Sequence, residues 1–504
     1  MATTARLSPA ACRFSRQSMR PRRHLFGTPF SIQSIRSRGF SASPSWQLHT
    51  RDMSESDMSS LRVDESRLMA DLHWTCQWGT GERWGDKPTD TGMRRLALSD
   101  DDKKARDWFV EAVKAQGCKV TIDSMGNIFA VRPGIKVGPP TYVGSHLDTQ
   151  PSGGRYDGIL GVTAGVEMLK VLNDNWVETE YPVGVINWTN EEGARFPISM
   201  VSSAVWAGQI PLSKAQNLKE VGAGTATQKS ALERIGYLGT TPASYKLIPI
   251  GAHFELHIEQ GPQLEAEGRK VGIVKGVQAY KWYTIEVTGR DAHTGTTPLS
   301  ARADALLTAS KMIIHSHKVA TKLGALASTG ILTLKPGSTN TIPGSVRFSL
   351  DIRAPHDRTV ENAEREIRDS FAAIAAGNDI GGLNEGTTSG HPCSVNITVD
   401  SNSPAIHFNE ECIDCVQDAV KGIYGTAAGE MSKEMTSGAG HDSVNTSYIA
   451  PTTMIFIPCK DGVSHNPKEY STPEDCAIGA QVLLQSVLRY DRLRAARESI
   501  VGKN

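Results

Sequence analysis

The chain has 504 residues, with 54 basic and 54 acidic side chains, 39% hydrophobic residues and 21% charged ones. That length exceeds a single hydrophobic core, so two or more domains are expected. No run of ~20 apolar residues occurs, which excludes a membrane-spanning helix. Without its first 51 residues the chain carries 45 basic against 54 acidic side chains, a formal −9, which argues against nucleic-acid binding.

Those first 51 residues hold nine arginines, no lysine and no acid, with Ser, Pro and Ala between them. This is the composition of a disordered mitochondrial presequence, removed on entry to the matrix. Arg38-Gly39-Phe40-Ser41 resembles a matrix-protease site. The alternative is a basic tail on a cytoplasmic protein. The eight cysteines are scattered, and Cys412 and Cys415 fall in an apparent helix with no second pair. They read as ordinary thiols of a reducing compartment.

Residues 64–78 and 100–116 predict helices with acidic first turns, and 120–123, 127–131 and 141–145 predict strands. The strand at 141–145 runs into His146-Leu147-Asp148-Thr149, and Asp157 follows in a glycine-rich turn before a helix at 158–172. A His at a strand end and an Asp on the next loop suit a metal site, where Asp157 can bridge two cations. Asp148 is expected to accept the other ring N–H of His146 and fix its tautomer. A plain polar turn is the alternative. A second buried strand, 183–188, ends in Asn190-Glu191-Glu192-Gly193. Two adjacent buried carboxylates are costly unless a cation takes one, which leaves the other as a base. Residues 208–250 form a polar, partly helical insertion. The run His253-Phe254-Glu255-Leu256-His257-Ile258-Glu259-Gln260-Gly261 alternates like a strand and offers His257. Alternating β and α elements predict a mixed sheet flanked by helices, which binds ligands at strand carboxyl ends.

The pattern then changes. Strands at 272–277, 281–287, 330–334 and 345–353 with helices at 301–317 and 359–376 predict a small α+β sandwich inserted at 275–390. It divides a catalytic domain of 60–274 and 391–495, with the main fold resuming near Val395 and closing in a helix at 475–492. Downstream, the strand 453–457 precedes Ser464-His465-Asn466-Pro467, which adds a third histidine.

Taken together, His146-Leu147-Asp148-Thr149, Gly154-Arg155-Tyr156-Asp157-Gly158, Asn190-Glu191-Glu192-Gly193, Glu255-Leu256-His257-Ile258-Glu259-Gln260-Gly261 and Ser464-His465-Asn466-Pro467 resemble the hydantoinase/carbamoylase family. These are dinuclear zinc amidohydrolases of the wider aminoacylase/carboxypeptidase superfamily. The resemblance spans about residues 64–492. It implies a zinc-peptidase-like α/β catalytic domain and an inserted α+β lid that carries a homodimer contact. It implies two zinc ions per subunit, one held by His146, Asp157 and His257, the other by Asp157, Glu192 and His465. Manganese, cobalt or nickel would suit the same nitrogen and oxygen donors.

The implied reaction is hydrolysis of the ureido C–N bond of an N-carbamoyl amino acid, with N-carbamoyl-β-alanine first and N-carbamoyl-L-amino acids close behind. Glu191 is the implied general base and His293 the implied oxyanion donor. Gln260, Asn340, Arg353, Gly440 and His441 are the implied substrate contacts, Arg353 gripping a carboxylate with its planar fork. His293 could instead be a turn residue, Arg353 a sheet-face ion pair, and His441 a ligand in place of His465. An allantoate amidohydrolase, an aminoacylase or peptidase, and a non-catalytic ligand-binding paralogue stay open as alternatives.

Overall fold

A computed structural model describes residues 48–501 except 223, 388 and 389. Of the expected presequence, residues 1–47 lie outside the described residues. Residues 48–51 belong to the folded body. Leu48–His49 pairs in parallel with Val177–Glu178, and the Thr50 hydroxyl donates to Asp491 of the last helix.

The main body is built on a mixed sheet of nine strands among the described residues. Its centre is four parallel strands in the order Val183–Trp188, Thr141–His146, Ala252–Ile258 and Thr452–Ile457. Every residue of these four is buried, as expected for strands covered on both faces by helices. Antiparallel strands extend both sides: Ile128–Arg132 and Lys119–Ile122 on one, Val271–Val277 on the other. The α/β class expected from the alternation is therefore present.

Helix Ile159–Asp174 packs on the sheet, and helix Pro473–Val501 packs against it and against Glu410–Tyr424. Gly158, which caps the former helix at φ 68°, has no substitute. A β-carbon there would meet the His146 ring at 2.3 Å. The loop thus passes directly over the imidazole and delivers Asp157 beside it.

The inserted unit, expected to act as a lid, has its own core. A five-stranded antiparallel sheet is covered by helices Ala305–Leu323 and Asp357–Ala375, with Phe348, Ile352, Met312 and Phe371 buried between them. Its limits differ from the expected 275–390. Val271–Val277 belongs to the main sheet. Ser394–Ser403, expected to return to the main body, pairs along Ala279–Thr288 inside the lid. The cause is register. Val395 and Ile397 pack on the lid core, so the main fold resumes only at Ile406–His407.

Candidate active site and metal centre

The four parallel strands converge on one rim. His146 ends its strand, Glu191 and Glu192 follow Trp188, His257 sits one residue before its strand's end, and His465 lies past Ile457. Asp157 stands at the centre. Its Oδ1 lies 3.3 Å from His146 Nε2 and 3.1 Å from His257 Nε2; its Oδ2 lies 3.6 Å from His465 Nε2. Glu192 Oε2 is 3.4 Å from the same His465 nitrogen. Two groups able to hold a cation therefore share Asp157: His146, Asp157 and His257, and Asp157, Glu192 and His465.

The tautomers suit that use. Nδ1 of His146 donates to the Asp148 backbone carbonyl at 2.8 Å, and Nδ1 of His257 to the Ile258 carbonyl at 2.9 Å. A proton fixed on Nδ1 leaves the Nε2 lone pair free to ligate. His146 Nε2 is buried with no hydrogen-bond partner. An orphaned lone pair beside shared carboxylates, with no sulfur donor, fits a divalent cation such as zinc.

Asp148 acts differently from expectation. Its carboxylate does not reach the ring; it accepts the backbone N–H groups of Glu191 and Glu192, each at 3.3 Å. It shapes the turn that aims the two glutamates, while its carbonyl sets the His146 tautomer. The backbone around the rim is tightly constrained. Asn190, Gln260 and His465 all sit at positive φ, 56°, 57° and 53°. Such conformations cost ~1–3 kcal/mol each and cluster where geometry is held for function.

The electrostatics follow from burial. Burial pushes the Glu191 carboxyl well above its usual range, with Asp442 and Glu192 adding to the rise against His146. Burial and Asp157 raise Glu192 to about 8. Asp157 goes the other way, because the adjacent His257 and His146 outweigh its burial. Glu191 Oε2 lies 3.5 Å from His146 Nε2, yet Glu191 belongs to neither cation group.

A cleft of about 210 Å³ opens over this cluster. Arg353, Gln260, Gly440 and His441 line it, together with Asp157, Glu191, Glu192 and His465. Arg353 donates to Asp351 through Nε and Nη2, and through Nη1 to the Gly438 carbonyl at 2.8 Å. The ion pair read as an alternative for Arg353 thus exists alongside its place in the cleft. Gln260 donates to Asp157 Oδ2 at 2.7 Å, so it touches the carboxylate common to both candidate groups. His441 is buried, with burial and His257 holding it well below the usual imidazole range. Its candidate cation group is Glu255, His257 and His441, whereas Asp157 and Glu192 meet His465.

His293 and Asn340 are not among the cleft residues. Both are exposed, on or beside a short ribbon pairing Ala292–His293 with Thr341–Ile342. His293 Nδ1 accepts from Gly295 N, and Asn340 Oδ1 from the Ser338 hydroxyl.

Several contributors carry no motif of their own. Gln150 holds Glu192 through its backbone N–H and its amide, at 3.1 and 2.7 Å. Glu469 accepts the N–H groups of Tyr156 and Asp157, both at 3.0 Å, and the Ser464 hydroxyl at 2.9 Å. The only hint of Glu469 in the sequence is an acid four residues past His465.

Residues 142–489 match the model of peptidase family M20/M25/M40. An N-carbamoyl-L-amino-acid amidohydrolase of Rhizobium meliloti is 35% identical over 85% of this chain and 96% of its own length. A ureidoglycolate hydrolase of Oryza sativa is 31% identical over 81% of this chain and 82% of its own. The crystal structure of a hydantoinase/carbamoylase family amidase from Burkholderia multivorans is 40% identical. It covers 86% of this chain and 99% of that one, with a TM-score of 0.76. With the shared-aspartate rim already described, these matches lead to one assignment: the chain belongs to the M20/M25/M40 peptidase family, in its hydantoinase/carbamoylase branch.

Proposed function

We propose that this protein is an amidohydrolase that cleaves the ureido C–N bond of N-carbamoyl amino acids, releasing the amino acid, ammonia and carbon dioxide. The observation that carries this is Glu191: a buried carboxylate facing the cleft beside two cation groups that share Asp157, and a member of neither. A relative named N-carbamoyl-L-amino-acid amidohydrolase, matched along nearly its full length, supports the substrate class.

A ureido carbonyl is a poor electrophile, because two nitrogens donate into it. Two divalent cations, taken here as zinc, would when bound acidify a shared water and polarise the ureido oxygen. Glu191 takes the water's proton and passes it to the leaving nitrogen. Arg353 pairs with the substrate carboxylate and fixes which end faces Glu191. Asp148 keeps Glu191 and Glu192 in register, and neutral His441 offers a hydrogen bond from the wall.

His293 and Asn340 enter this reading through a second copy or a closed lid, since they lie outside this chain's cleft. Exposed Leu326 and Leu332 on the lid's edge strands, with Ile331 just before the second, support a homodimer through that surface. The arginine-rich leader supports import into the mitochondrial matrix.

Ammonia release from N-carbamoyl amino acids, allantoate and N-acetyl amino acids tests the reaction. Turnover of ureido compounds, abolished by chelation and lowered at least ~10²-fold in Glu191→Gln with cation content intact, is expected. Undiminished turnover by Glu191→Gln would remove it as the base.

A further inference from the structure

The lid turns an unusual face to the cleft. Along Ala279–Thr288, Ile285 and Val287 enter the lid core, and Lys281 reaches Glu364 on the covering helix at 2.7 Å. Tyr280 and Trp282 point the opposite way and line the cleft. Their rings lie 5.3 Å apart at 36°, and Trp282 is 44% exposed. Tyr280 stands directly across the sheet from Arg353, whose guanidinium sits 5.4 Å from the Tyr280 ring centroid. Met200 faces them from the main body, its side chain lying so close to Gly440 that a β-carbon there would meet its methyl at 2.8 Å.

The carboxylate grip and an open aromatic surface are thus neighbours on one strand pair. An α-amino acid bears its carboxylate and its side chain on the same carbon. With the carboxylate at Arg353, that carbon's side chain falls on the adjacent rings. N-carbamoyl-β-alanine has no branch to place there. A second ureido group, as in allantoate, would lose its water against π faces that return no strong hydrogen bond.

We propose that Tyr280 and Trp282, closed by Met200, form a side-chain shelf that selects N-carbamoyl α-amino acids with large apolar or aromatic side chains. This rests on the ureido-hydrolase reading above and narrows its substrate. Covering one ring face and part of a second is expected to favour N-carbamoyl-phenylalanine over N-carbamoyl-glycine at least ~10-fold.

The test has two arms. In the first, kcat/KM is compared for the N-carbamoyl derivatives of phenylalanine, methionine, glycine and β-alanine, with wild type, Trp282→Ala and Trp282→Phe. The second arm measures Kd for the same compounds by calorimetry on cation-loaded Glu191→Gln protein, with and without Trp282→Ala. The shelf predicts that the phenylalanine-to-glycine ratio is large in wild type, falls at least ~10-fold in Trp282→Ala mainly through KM, and is largely restored in Trp282→Phe. Best turnover of the glycine or β-alanine compound overturns it, as does an equal loss on all substrates in Trp282→Ala. Preferential binding of the phenylalanine compound without any hydrolysis by wild type sinks the ureido-hydrolase reading and leaves the shelf standing. Hydrolysis without side-chain preference does the reverse.

Discussion

Removing the Glu469 side chain is the sharpest test of how the rim is held. Its side chain is 2% exposed and ties the loop carrying Asp157 to the loop carrying His465. Ser464 completes the tie by also reaching Asp157 Oδ2 at 3.0 Å. In Glu469→Ala the N–H groups of Tyr156 and Asp157 lose their acceptor in a buried place. An unsatisfied buried group costs ~1–3 kcal/mol, so the pair costs roughly 2–5 kcal/mol after partial relaxation. Glu469→Gln keeps an oxygen for both N–H groups and disturbs only the Ser464 end, which predicts ~1 kcal/mol or less.

Because Asp157 serves both cation groups, loosening its loop weakens both. Outer hydrogen-bond partners of metal ligands are worth ~10–100-fold in affinity, and the Ala variant is expected in that range. Denaturant unfolding of the chelated protein measures the first effect. Competition titration of zinc, and the visible absorption of the cobalt-substituted protein, measure the second. A Glu469→Ala protein within ~0.5 kcal/mol of wild type, with unchanged zinc affinity and cobalt spectrum, would refute the argument.

Four further outcomes are expected. Chelation leaves Asp157, Glu191 and Glu192 buried together with only His146 and His257 beside them to offset their charge, so melting should shift down and recover with zinc. A cation at a hundred times its Kd adds about 2.7 kcal/mol, and a chelator-insensitive melting temperature would contradict this. Arg353→Lys loses the planar fork and should raise KM ~10–100-fold with a smaller change in kcat, read by steady-state kinetics. Burial pushes Asp123 up to about 7 against hydrogen bonds from Asn127 and Met125. The folded state then holds this proton more tightly than the unfolded chain. The stability it contributes is full below the ordinary value near ~3.9 and lost as pH rises through about 7. Asp123→Asn should flatten that part of the stability profile in denaturant titrations from pH 4 to 8. Finally, a chain starting at Ser54 loses the strand at Leu48–His49 and the Thr50 bond to Asp491 and should melt lower than one starting at Gln47.

The residues around Asp157 were legible because each stands where an apolar run stops. Thr141–His146, Val183–Trp188, Ala252–Ile258 and Thr452–Ile457 are all readable as buried strands, and each is followed or closed by a side chain able to ligate a cation. Asp148 was legible as a partner of His146 but not by which atom. The choice between its carboxylate and its carbonyl depends on where the backbone turns, and residue spacing does not encode that. Glu469 was illegible because the backbone N–H groups it accepts lie 312 and 313 residues away. The lid's far boundary failed for a related reason. Ser394–Ser403 alternates as any half-buried strand does, and nothing local says which of two sheets it joins.

The same distinction separates chemistry from specificity in this site. His146 and His465 come together because four parallel strands end on one edge, so residue type at strand ends suffices to read the candidate cation groups. Tyr280 and Trp282 face the cleft only because Ala279–Thr288 pairs in one register with Ser345–Ala354. A slip by one residue would turn both rings into the lid core and send Lys281 into the cleft. Their alternation is visible in the sequence, but which face is the open one is decided by the helices packed on the other side. The catalytic apparatus is thus set by the main sheet, whereas the identity of the side chain it accepts is set by the register of a separately cored lid.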